Sequence, residues 1–208
     1  MQKFIDTLQN PTLRRRLIIF GVAKKLVYAG FFAFSMMTSP AEARDYTIDY
    51  AASKIEFNGT HADNPFSGTF GEWTAAITFD TADMDKSKIV ATFKPDSAKT
   101  GDAMYDGTLP QTDWFNTKEH PQATFASSQI RRKDDGTYLA EGDLTIRGIT
   151  KPVRMDFTLT DPDSAPVRAE GRLVIDRLEF DIGKKSDGAA EWVSREININ
   201  FTIIAKPQ

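Results

Sequence analysis

From Tyr46 to the C-terminal residues, apolar side chains return at every second position. A chain patterned this way buries its apolar side chains as β-strands with one inward face. Ile48 and Tyr50 flank Asp49, and Ile55 and Phe57 flank Glu56. The alternation resumes in Trp73, Ala75, Ile77 and Phe79, then in Ile89, Ala91 and Phe93. It continues through Val153, Met155, Phe157 and Leu159, through Ala169, Gly171, Leu173 and Ile175, and ends with Ile197, Ile199, Phe201 and Ile203.

Turn-forming residues separate these runs: Asn58-Gly59, Asn64-Pro65, the stretch from Asp80 to Asp85, Asp134-Asp135-Gly136, Asp161-Pro162-Asp163 and Ser186-Asp187-Gly188. Only residues 103–120 break the rhythm, and they read as a long loop or a short helix between strands. About eight to ten strands at hairpin spacing define an all-β domain, and they fit a sandwich or a closed barrel equally well.

The N-terminal segment is of another kind. Residues 26–39, LVYAGFFAFSMMTS, carry no charge; Lys24 and Lys25 precede them and Ala41-Glu42-Ala43 follows. A basic flank, a short apolar stretch and an A-x-A site are the parts of a secretory signal peptide. Extending the apolar stretch upstream into a membrane span would place both lysines near mid-bilayer, at roughly 2.5–3.5 kcal/mol each. Residues 1–43 are therefore expected to be a cleaved signal peptide and residues 44–208 a single domain. Residues 1–43 hold six of the chain's 26 basic and two of its 29 acidic groups. The remainder is thus acidic, without a basic cluster, which argues against nucleic acid as a partner.

Catalytic and metal-binding signatures are missing. The chain has no cysteine, and its two histidines, His61 and His120, stand in no HxH or HExxH spacing. None of Ser53, Ser67, Ser127 and Ser194 lies in a G-x-S-x-G elbow, and no glycine-rich phosphate loop occurs. The expectation is a non-enzyme without a cofactor. The conspicuous supply is aromatic: Phe57, Phe66, Phe70 and Trp73 cluster early, Trp114 and Phe115 adjoin in the irregular segment, and Phe125 follows. Adjacent aromatics in a polar loop need somewhere to bury, so Trp114 and Phe115 are candidates to close or line a pocket.

Four blocks carry a family resemblance: YTIDYAASKIEFNGTH, SGTFGEWTAAITFD, TDWFNTKEHPQATFASS and GDLTIRGITKPV. They resemble the YceI-like family of exported polyisoprenoid-binding proteins, over about residues 46–206. The resemblance implies a single antiparallel lipocalin-like barrel of about eight strands, periplasmic, with a polyisoprenoid or other long apolar molecule in its interior. The matching positions are Ser53, Ile55, Phe57 and His61; Asp113, Trp114, Phe115 and Pro121; Phe125 and Ser127; and Gly148, Lys151 and Pro152. Gly148 suits a positive-φ turn.

Thr108-Leu109, Trp114, Thr100-Gly101-Asp102 and RLEFDIGKKSDGAAEWVSREI resemble a subgroup found beside, or fused to, di-haem membrane cytochromes b. That adds a prenyl quinone as ligand and such a cytochrome as partner; a homodimer is one option for the oligomeric state. Under this reading Phe57, Phe70, Trp73, Trp114, Phe115 and Phe125 line the channel, and His61, Asp113 and Arg177 meet a polar head group at its mouth.

Overall fold

The computed structural model describes residues 43–160, 162 and 165–208. Residues 1–42 of the expected signal peptide, with Ala41 and Glu42 of its cleavage site, lie outside the described residues. Among the described residues there are eleven strands, in chain order: β1 (Arg44–Ile48), β2 (Lys54–His61), β3 (Asn64–Phe70), β4 (Trp73–Phe79), β5 (Lys88–Phe93) and β6 (Ala98–Lys99). After one short helix, α1 (Ala103–Thr108), come β7 (Ala123–Arg132), β8 (Tyr138–Ile146), β9 (Ile149–Thr160), β10 (Val167–Asp176) and β11 (Glu196–Pro207). Asp102 caps α1, its carboxylate accepting from the N–H groups of Met104 and Tyr105.

All the paired strands are antiparallel, and eight of them close on themselves in the order β1-β4-β5-β7-β8-β9-β10-β11 and back to β1. Closure rests on the length of β11. One of its edges pairs with β10 from Glu196 to Ala205, while the other is divided: Asn198–Thr202 bond β2, and Ala205–Pro207 bond β1. The strands β2, β3 and β6 extend from this divided edge. The alternating residues of the sequence face the inside of the ring, so core and interior are the same place. At one level Tyr138 stacks on Phe157 at 5.2 Å between ring centroids, with Phe79 edge-on to both.

Two expected turns are corrected. The chain reverses between β2 and β3 at Ala62-Asp63, both at positive φ (49° and 64°), and neither at Asn58-Gly59 nor at Asn64-Pro65. Gly59 is a mid-strand residue, and close approach explains it: a Cβ there would lie 2.6 Å from Ser194 Oγ and 2.8 Å from Ile197 Cδ1. Pro65 is tolerated because β3 is paired on its far side only at Thr69 and Phe70. The β8–β9 hairpin turns at Arg147-Gly148, both at positive φ, the geometry a two-residue hairpin favours.

Loops converge on one end of the barrel. The segment 109–122 leads from α1 to β7, and 177–195 joins β10 to β11, opening with a 3-10 turn at Arg177–Phe180. At the other end the β4–β5 connection carries a 3-10 turn at Met84–Lys86. There the buried Asp80 accepts the N–H groups of Ala82 and Asp83 at 2.9 and 3.0 Å.

Candidate functional site

The interior holds a cavity of about 160 Å³. Its wall is built by the period-two residues: Ala75, Ile77 and Phe79 from β4, Ile89, Ala91 and Phe93 from β5, Met155 and Leu159 from β9. Ala169 and Leu173 from β10, and Ile199, Phe201 and Ile203 from β11, complete the circuit. It reaches Thr81 and Pro162 in the connections at one end, and Pro95 and Phe115 towards the other. Only Tyr46, Trp73 and Thr81 among the lining residues have a side-chain hydrogen-bonding group. Among the described residues, no carboxylate, ammonium, guanidinium or imidazole lines it. Such a wall can hold hydrocarbon.

Four of the residues singled out in the sequence line this cavity: Phe70, Trp73, Phe115 and Phe125. Phe70 is the hub of that end, with ring centroids 5.9 Å from Phe93 and 6.3 Å from Phe115. Phe57 stands one layer back, buried, 5.1 Å from Phe70 and 6.5 Å from Phe66. Trp114 packs on the core beside Phe115, its ring 5.8 Å from the guanidinium carbon of Arg177. Adjacent in sequence, Trp114 and Phe115 thus serve two places: one the loop, the other the cavity.

The three polar residues expected at the mouth are not among those that line the cavity, and each has partners in the protein. His61 Nδ1 lies 2.8 Å from the Tyr105 hydroxyl, tying α1 to the end of β2. The Asp113 carboxylate accepts from the N–H groups of Lys185 and Ser186 (2.9 and 2.8 Å) and from the Ser186 hydroxyl (2.6 Å). Its carbonyl accepts from Gly183 N–H and, with that of Trp114, from the Arg147 guanidinium. Burial works to raise the Asp113 pKa, but the bonds from Ser186 and Lys185 and the charge of Arg147 outweigh it and leave the carboxyl below its ordinary 3.8. Asp113 is a clasp between two loops.

Arg177 is 1% exposed. Its guanidinium donates to the carbonyls of Ser194, Ile182, Asp187 and Val193 and to Asp187 Oδ2 at 2.6 Å, so every nitrogen is occupied by protein. Burial lowers its pKa, against the neighbouring carboxylates of Asp187, Asp176 and Asp113. Sequence reasoning missed Asp187 as the centre of this loop and Tyr105 as the partner of His61. It also missed the aliphatic majority of the cavity wall, whose signal was the alternation itself. Among the described residues no group of three or more His, Asp or Glu side chains is placed to hold a metal ion.

An eight-stranded antiparallel barrel around a hydrocarbon-lined cavity defines a protein of the lipocalin-like class. A model of the YceI-like domain matches residues 46–205, and the chain belongs to that family. The UPF0312 protein of Photorhabdus laumondii subsp. laumondii is 31% identical over 176 residues, covering 79% of this chain and 91% of that protein. Protein YceI of Escherichia coli O157:H7 is 29% identical over 175 residues, covering 78% and 91%. Among solved structures, BcnA of Burkholderia cenocepacia superposes with a TM-score of 0.72 at 30% identity, over 76% of this chain and 99% of BcnA. A polyisoprenoid binding domain from Saccharophagus degradans shares the fold at a TM-score of 0.57 and 14% identity, over 78% and 98%.

Proposed function

We propose that this barrel is a periplasmic binding and carrier protein for a polyisoprenoid or a similarly long, slender apolar molecule, a prenyl quinone among them, and that it is not an enzyme. The observation that carries the reading is the cavity wall: predominantly hydrocarbon, with Thr81 as the one aliphatic hydroxyl among the described lining residues. The energetics suit such a guest. Burying one five-carbon unit is worth roughly 3–4 kcal/mol at about 0.8 kcal/mol per methylene-sized group. Association costs about 4–15 kcal/mol, so a few units suffice without charged contacts. The shared fold of the Saccharophagus degradans domain, named for binding polyisoprenoid, agrees with a chain-like guest.

The subgroup resemblance adds a membrane cytochrome b as the partner that a quinone-carrying barrel would serve. Cavity size favours a second reading. At about 160 Å³ the space lies below the ~300–1,000 Å³ usual for ligand pockets, as expected of a largely filled barrel acting as an interaction module.

Organic extraction and native mass spectrometry of the purified protein separate the two. A co-purified isoprenoid, or uptake of a prenyl quinone by the extracted protein, is the expected result. An empty protein that also takes up no prenyl quinone would rule the carrier reading out.

A further inference from the structure

Pairing between β9 and β10 runs from Thr160↔Arg168 to Asp156↔Arg172 and stops there. Both strands continue, β9 back to Ile149 along β8 and β10 on to Asp176 along β11. Between Ile149–Met155 and Leu173–Asp176 the wall of the barrel therefore has no main-chain ladder. The rungs missing from the register run from Met155 with Leu173 to Pro152 with Asp176. At the last of them proline has no N–H to give.

Side chains close what the ladder leaves open. The 3-10 turn Arg177–Phe180 folds against β9, and Phe180 is 1% exposed. Outside the seam lies a cleft of about 660 Å³, lined by Val153 and Arg154 on one side, Val174 and Ile175 on the other, and Phe180. Inside it, Met155 and Leu173 line the apolar cavity. Where a ladder joins two strands, parting them means breaking hydrogen bonds; here it means displacing side chains. At the two ends, Asp80 holds the turn after β4, and Asp113 and Arg177 hold the loops 109–122 and 177–195.

We propose that the apolar guest enters and leaves the barrel sideways, between β9 and β10, with Phe180 as the gate. The proposal rests on the carrier reading for the nature of the guest, but the path itself can be tested without one. The turn that carries Phe180 ends at Asp181 in the left-handed conformation (φ 56°), where the chain changes direction, so the ring sits beside a bend in the backbone. The cleft outside presents Lys151, Arg154 and Arg172 together with Glu141, Asp143, Asp156, Asp176 and Glu179. This charged rim keeps water at the outer side of the gate.

The chain has no cysteine, so a disulfide can be placed at the last rung with D156C/R172C. Uptake and release of diphenylhexatriene, a slender apolar dye, are followed by stopped-flow in the oxidised and reduced forms. Oxidation is expected to slow both rates at least about tenfold at unchanged Kd, because a gate alters passage in both directions alike. Equal rates in the two forms would overturn the proposal.

A second arm needs no ligand. Ala91→Cys places a thiol in the cavity wall, and its labelling by monobromobimane is compared with and without Phe180→Ala. Labelling is expected to quicken at least about tenfold with little change in the global unfolding rate. Labelling that is unchanged, or that merely tracks unfolding, overturns the gate. Failure of the dye to bind either form, with labelling still dependent on Phe180, would instead count against the carrier reading alone.

Discussion

Arg177 Nη2 stands 2.6 Å from Asp187 Oδ2, with 1% and 6% of the two side chains exposed, and this ion pair organises the whole segment from Ile182 to Ser194. Arg177 takes up carbonyls along the loop, while the Asp187 carboxylate accepts the N–H groups of Glu191, Trp192 and Val193. Asp187→Ala leaves a buried guanidinium uncompensated and should cost about 3–5 kcal/mol in urea unfolding. Replacing both residues with apolar ones of similar volume should recover much of that loss. A cost below about 1 kcal/mol for Asp187→Ala would show that the loop stands without the pair.

Acid should loosen the same end of the barrel. Asp187 and Asp113 both sit below the ordinary value of 3.8; burial opposes this, but N–H donors and the nearby guanidinium groups prevail. A carboxyl with a depressed folded-state pKa stabilises the protein above its unfolded value and loses that contribution as pH falls through the folded one. The thermal midpoint should therefore hold down to about pH 4 and drop below it. Asp113→Asn should begin from a lower midpoint and fall less steeply, measured by circular dichroism from pH 6 to the acid limit.

Filling the cavity should remove binding and spare the fold. Ala75 faces the cavity from β4, and Ala75→Phe places a ring in the space a guest would take. Bound isoprenoid or dye should fall at least about tenfold, with a stability change within the roughly 1–3 kcal/mol typical of overpacking. Quantitative extraction and the unfolding midpoint give both numbers; full retention of ligand would place the guest elsewhere.

His61 offers the opposite case. Its contact with Tyr105 fastens α1, and it does not line the cavity. His61→Ala should cost about 0.5–1.5 kcal/mol, as for one hydrogen bond, and leave dye affinity unchanged. Hydrogen exchange should localise the loss to Ala103–Thr108. A protein that lost its ligand with His61 would return this residue to a head-group role.

Much of this protein was legible before any coordinate. The alternation from Trp73 to Phe79 or from Ile197 to Ile203 is local information: successive strand side chains point to opposite faces, so the inward set can be read along the chain. Trp73 belongs to that alternation and Phe70, Phe115 and Phe125 stood out by their clustering; all four line the cavity. Turns were read less well, because Asn58-Gly59 has the composition of a turn while Gly59 serves a close contact with Ser194, far along the chain.

The chain alone, then, determined strands, their inward faces and an apolar interior, since each follows from side chains two residues apart. Tertiary structure alone decided that the sheet closes, because closure depends on β11 dividing one edge between β1 and β2. It also decided what the polar residues do. Asp113 finds Ser186 across 73 positions and Arg177 finds Asp187 across ten, and a buried charge is satisfied by whichever partners the fold brings to it. Spacing in the sequence does not name those partners.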